Sequence, residues 1–258
     1  MPLFPKWGSP SSCKMVLPVQ GALKKEAAMY AMITDESVHA LVDIFYRHIR
    51  ADEKLAPIFD AAIGTTDEEW APHLERITKF WSGVMLGTKD YDGKPLQAHK
   101  ELPAFDPGLF SRWLALFANA AIETHEVVPA TAFIRKAVSI ADMMVRDLFG
   151  RGLEMPAMPK LPDSMAHYRT TPPFKTDTIP VALRRAHRTA VGVYGRIVVS
   201  QGRLLYTIGK EQCHILTPDN AGVIEPEAFH FVTPLDDAAF TVEFYKDPLS
   251  LSKGASSS

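Results

Sequence analysis

Between residues 34 and 150 the apolar positions recur at helical spacing; from residue 178 to 246 they bunch into short runs separated by turn residues. Val38, Leu41, Val42, Phe45 and Ile49 form one stripe, and Thr34 with Asp35 and Glu36 makes a cap and an acidic first turn before it. Thr66 through Glu69 has the form of a capping box. The next stripe is His73, Ile77, Phe80, Trp81 and Val84, stopped by Gly87. Asp92-Gly93 marks a turn. Asp106 followed by Pro107 predicts the start of another helix, with Phe110, Trp113, Leu114, Phe117 and Ala121 on one face. A last helix is expected from about Pro129 to Phe149, ended by Gly150.

The pattern then changes. Prolines at 156, 159, 162, 172 and 173 predict an extended linker over 151–177. AVGVYGRIVVSQG, RLLYTI, QCHILT, GVIE, FHFVTP and AFTVEFY read as strands, with a hairpin signal at Gly202. Several short strands in so few residues predict a small barrel or sandwich. Residues 1–33, broken by Pro2, Pro5, Pro10 and Pro18, read as a tail in which Met15, Met29 and Met32 are alternative starts. Residues 247–258 read as a polar tail.

Composition narrows the function classes. With 47% hydrophobic residues the chain of 258 can build a real core, and its length suits more than one domain. A net charge of -2 does not advertise nucleic acid or an anionic membrane as partner. The run Trp113–Ile122 is too short to span a bilayer, and no signal peptide pattern opens the chain, so a cytoplasmic protein is expected. Cys13 and Cys213 are far apart and make neither a CxxC nor a disulfide framework. Glycine fingerprints of dinucleotide or flavin binding are not seen, so any redox turnover needs electrons from a separate reductase.

His73 on a helical stripe and His99 in a short segment closed by Pro103, with aromatics between them, suggest a pocket around a flat iron cofactor. FYRHIRADEKLAPIFDAAIGTTDEEWAPH, then FWSGVMLG, then YDGKPLQAHKELP resemble the group III truncated haemoglobins over residues 34–150. The resemblance implies a two-over-two all-α globin that holds haem b. It implies His99 as the proximal iron ligand, with Tyr46, His73 and Trp113 on the distal, ligand-stabilising side. One axial imidazole leaves the sixth position of the iron open. Phe59, Ile77, Phe80 and Trp81 would line the pocket, and Tyr91, Lys94 and Lys100 stand where propionate partners are needed. The implied ligand is a diatomic gas, O2 or NO, or a peroxide, with reversible binding and peroxidase-like or NO-detoxifying turnover both open.

IPVALRRAHRTAVGVYGRIVVSQGRLLYTI, VIEPEAFHFV and FTVEFY resemble a small cupin-like domain of tellurite-resistance proteins, over 178–246. This implies a β-barrel with one open end and a bound small molecule. His187 and His230 with Glu225 are an incomplete facial metal set, because Thr189 stands where a further histidine belongs. A metal site and a structural histidine pair both stay open. Arg184, Arg185 and Arg188 beside His187 suit either an oxyanion or a solvated basic turn. A second function follows: a stress- or tellurite-resistance binding module in which this domain carries the activity and the globin responds to redox state or gas.

Overall fold

The computed structural model describes residues 29–250, so the chain before Met29, including Cys13 and Met15, and the polar residues 251–258 lie outside it. The helical half runs α1 (Asp35–Arg50), α2 (Ala56–Ile63), α3 (Asp67–Leu86), α4 (Pro95–Lys100), α5 (Leu109–Thr124) and α6 (Val127–Phe149). The expected Thr34 cap and Thr66 capping box both form, the first also as a capping box. Thr34 accepts from the Ser37 amide, and Thr66 from that of Glu69, whose carboxylate answers the Thr66 amide at 3.0 Å. Gly87 and Gly150 close α3 and α6 with left-handed backbone, as a glycine after a helix does. α5 begins later than the Asp106-Pro107 pair suggests. Asp106 instead accepts the Gly108 amide at 2.8 Å and makes the turn that leads into the helix. α2 and α4 were not expected; they are too short for a periodic stripe to show.

α1 packs on α3 and α5, and α5 on α6. Val38, Leu41, Phe45, Ile49, Leu114, Phe117, Phe133 and Ile134 fill the space between them with almost no exposure. α5 is apolar nearly all round because both of its sides are covered, one by helices and the other by a sheet.

The strands are β1 (Ala166–Thr170), β2 (Phe174–Lys175), β3 (Tyr194–Gln201), β4 (Leu204–Ile208), β5 (Gln212–Leu216), β6 (Gly222–Ile224), β7 (His230–Pro234) and β8 (Ala239–Lys246). The six runs read from sequence correspond to β3 through β8. They do not close into the expected barrel. They form a five-stranded sheet, β1-β8-β3-β6 with β2 also on β8, and a three-stranded sheet, β5-β4-β7. The chain changes sheet between β3 and β4 at Gly202, where φ is +69° and a Cβ would collide with the Asp237 carbonyl. Ile197, Leu204, Tyr206, Leu216, Ile224, Val232 and Phe240 interdigitate between the two sheets.

The sheet also begins inside the stretch read as linker. β1 and β2 pair antiparallel with β8, and Pro172-Pro173 separate them. Proline-rich extended chain is compatible with such outer strands, where a missing amide costs no ladder bond. The far face of the small sheet, Leu205, Cys213 and Phe231, joins the helical core. β4, β5 and β7 are therefore covered on both faces, which is why they read as apolar runs without alternation.

Arginines fix this contact, and the basic run beside His187 is part of it. Arg184 reaches Thr131 Oγ1 at 2.7 Å, and Arg185 donates to the Ile122 and His125 carbonyls at the C-terminal end of α5. Arg188 lies over the Phe229 ring. The run is thus neither a solvated turn nor gathered on an oxyanion: two of its members are spent on carbonyls and a hydroxyl of the helical half. No helix among the described residues is long and apolar enough to cross a membrane.

Candidate functional site

A cleft of about 650 Å³ opens among the helices. Tyr46 of α1, Phe59 of α2, His73, Ile77, Phe80 and Trp81 of α3, Tyr91, His99 of α4 and Trp113 of α5 all line it. Every proximal, distal and wall residue named from sequence therefore comes together. Of the proposed propionate partners only Tyr91 does. Lys94 and Lys100 are exposed and outside the lining.

Arg76 lines the cleft instead, and sequence reasoning missed it. The signal was available. Arg76 follows His73 by one helical turn, and residues three apart share a helix face. Burial raises the pKa of Tyr91, and the Arg76 cation works against that rise.

His99 has one ring nitrogen engaged by the backbone and the other free. Its Nδ1–H donates to the Pro95 carbonyl at 2.7 Å. A carbonyl only accepts, so the proton is fixed on Nδ1 and Nε2 carries the free lone pair. Pro95 at the first turn of α4 builds this contact four residues ahead, with no amide of its own to satisfy. Phe110 lies against the imidazole with ring centroids 6.3 Å apart.

Three further polar side chains of the cleft have groups without a protein partner among the described residues. Tyr46 is 5% exposed, and its hydroxyl makes no hydrogen bond among the described residues. Burial raises its pKa, so it stays protonated and a donor. The indole N–H of Trp113 has no acceptor among those residues, in contrast to Trp70, which donates to the Gly64 carbonyl at 2.9 Å. His73 Nε2 is buried without a partner, and burial, with Arg76 and His99 adding to it, pushes the pKa of His73 down to about 4. Rings of Phe45, Phe59, Trp70 and His73 surround Tyr46 within 6 Å and fix its direction. Buried polar groups in folded proteins are normally bonded. His73 Nε2, buried without a partner, and two further groups that make no hydrogen bond on the same apolar cleft fit an occupant that supplies polar partners, and an imidazole with a free Nε2 fits an iron.

Over 123 residues, 48% of this chain, the sequence is 38% identical to the group 3 truncated hemoglobin ctb of Campylobacter jejuni, and it covers 97% of that protein. Through its helical half, the chain belongs to the group III truncated haemoglobins. The crystal structure of the group III truncated hemoglobin from Campylobacter jejuni matches with a TM-score of 0.46, over 47% of this chain and 96% of that one. The family model of the TehB-like domain matches residues 169–242. That span takes in the end of β1 and all of β2, in accord with the sheet's early start. In the same half the chain is 31% identical to the uncharacterized protein YeaR of Escherichia coli K12, over 38% of this chain and 92% of YeaR. It is also 33% identical to the probable S-adenosyl-L-methionine-dependent methyltransferase TehB of Haemophilus influenzae, over 30% of either chain. With that share covered, the activity in the TehB name stays with that protein.

In the TehB-like half, the metal set considered from sequence does not assemble. Among the described residues no three His, Cys, Asp or Glu side chains are grouped to hold a metal ion. His187 and His230 are joined by their backbones, at 2.9 and 2.8 Å, with ring centroids 5.5 Å apart. Glu225 is exposed while His230 is 3% exposed, and Glu225 offers its backbone carbonyl to Thr189. The His230 Nδ1–H is held by the Ala228 carbonyl at 2.8 Å. A backbone-paired couple of imidazoles is what the sequence pattern builds here.

Proposed function

We propose that the helical half holds haem b through His99 Nε2 and binds a diatomic gas, O2 or NO, against Tyr46, His73 and Trp113. The observation that carries this reading is the cleft's chemistry: one imidazole with its free lone pair set by Pro95, and three polar groups with no protein partner. Haem, when bound, would supply an iron able to take up a diatomic ligand. Everything else belongs to the chain. The Pro95 carbonyl orients the His99 ring and raises its basicity as a ligand. The phenol and indole donate toward the ligand, and His73, neutral at physiological pH, can serve as donor or acceptor. Phe59, Ile77, Phe80 and Phe110 keep bulk water from competing for those donors. Arg76 and Tyr91 are the partners for the propionates.

The same donors would polarise a bound peroxide, and turnover of peroxide or NO draws on a separate reductase. The test is rapid mixing of the reduced, haem-loaded chain with O2. A stable O2 spectrum that decays slowly on trapping the released gas supports the reading. A chain that loads haem yet forms no gas complex refutes the gas-binding role.

A further inference from the structure

One buried arginine connects the haem cleft to the TehB-like half. Arg112 of α5 is 8% exposed. Its Nε lies 2.8 Å from both carboxylate oxygens of Asp52, and its Nη1 lies 2.9 Å from Glu211 Oε2 in the turn between β4 and β5. Asp52 in turn accepts the amides of Lys54 and Leu55, at 3.1 and 3.0 Å, where the chain enters α2. Burial alone would raise the Asp52 pKa, but these bonds outweigh it and hold the carboxyl below its ordinary range. Leu55, Ile58 and Phe59 form a wall of the cleft. The same guanidinium therefore reaches the α2 wall and the opposite domain.

The next residue along α5 is Trp113. Adjacent helical positions point about 100° apart, so a helix held by Arg112 on one side presents Trp113 to the cleft in a set direction. Seven residues on, and so on the same face as Arg112, Asn119 donates to the Gly209 carbonyl of the same β4–β5 turn at 3.0 Å. Cys213 of β5 donates to the Ser111 carbonyl at 3.2 Å. A turn of the TehB-like half thus grips α5 at successive points beside Trp113.

We propose that Glu211 is a positioning residue for the haem cleft: through Arg112 it sets the rotation of α5, and so the direction of the Trp113 indole, letting the TehB-like half tune how long the globin half holds its ligand. The functional part of this rests on the gas-binding reading above. Glu211 is 57% exposed at its side chain, and an exposed partner contributes little to stability. Its removal should therefore leave the fold intact while altering geometry.

The experiment compares the full chain with Glu211→Ala, Glu211→Gln and Trp113→Phe. In haem-loaded protein, Glu211→Ala should change the O2 release rate by about threefold or more, the scale of couplings that run through residues without ligand contact. It should also shift the CO stretching band, with the urea midpoint nearly unchanged. Glu211→Gln, which keeps an acceptor for Arg112, should restore most of both. In the Trp113→Phe background Glu211→Ala should have no further effect. An unchanged rate and band, or an effect that persists without Trp113, overturns the proposal.

A second readout needs no haem. With 5-fluorotryptophan incorporated, the Trp113 resonance, assigned by its loss in Trp113→Phe, should move on Glu211→Ala in the apo chain, and an unmoved resonance overturns the positioning role. A chain that took up no haem but showed this shift would fail the gas-binding reading and retain the positioning one.

Discussion

Replacing Tyr46 by Phe should act in opposite directions on the empty and the ligand-bound protein. The ring is held by Phe45, Phe59, Trp70 and His73, all contacts that phenylalanine keeps. The hydroxyl is another matter. The residue is 5% exposed, and the hydroxyl has no partner among the described residues. A buried polar group left without a bond costs about 1–3 kcal/mol. The cleft is open enough to admit some water, so the lower end applies, and Tyr46→Phe should stabilise the apo chain by about 1 kcal/mol. With ligand bound the sign reverses. A hydrogen bond to a charged acceptor contributes about 1.5–3 kcal/mol, which becomes roughly a ten- to hundredfold faster O2 release when it is lost. Urea unfolding of the apo protein and stopped-flow O2 release measure the two effects. An apo chain destabilised by more than about 1 kcal/mol, with release unchanged, would mean that the hydroxyl serves the fold. The reasoning about unspent donors would then be refuted.

Asp52→Asn should cost about 3 kcal/mol or more in urea unfolding, because it strands the buried Arg112 guanidinium; a loss below about 1 kcal/mol would show that Glu211 alone satisfies it. Acid should weaken the fold between about pH 6.5 and pH 4. His125 has no exposure, burial pushes its pKa down to about 4 from the ordinary 6.5, and in that window the unfolded chain binds the proton that the folded chain refuses. Stability is therefore lost as pH falls through the window and levels off below it. His125→Leu should flatten part of the fall in urea midpoint between pH 7 and pH 5, and an identical fall in both proteins would remove His125 from the cause.

The parts of the fold that were legible in the sequence are those written locally. Thr34, Thr66, Gly87 and Gly150 mark helix ends because caps are made within a few residues. The strands from Tyr194 to Lys246 were readable for the same reason. Which strand pairs with which was not, and the expected barrel is two sheets because Gly202 sends the chain across rather than on around. α4 shows no stripe in six residues, yet it carries His99, which only the family resemblance could single out. Arg76 escaped because a charge on a helix reads as solvent-facing. Asp52, Arg112 and Glu211 stand 60 and 99 residues apart, and no local pattern announces such a network.

The central claim, that this cleft is built for haem held by His99, is tested most directly by titrating the apo chain with hemin, followed by reduction and CO. The wild type should give a stoichiometric Soret band that sharpens and shifts on CO binding. His99→Gly should lose tight binding and recover the band when imidazole is added to fill the space of the missing ring. An unchanged Soret band and CO complex in His99→Gly without imidazole would contradict the assignment of the ligand. The absence of any Soret band in the wild type would contradict the reading of the cleft itself.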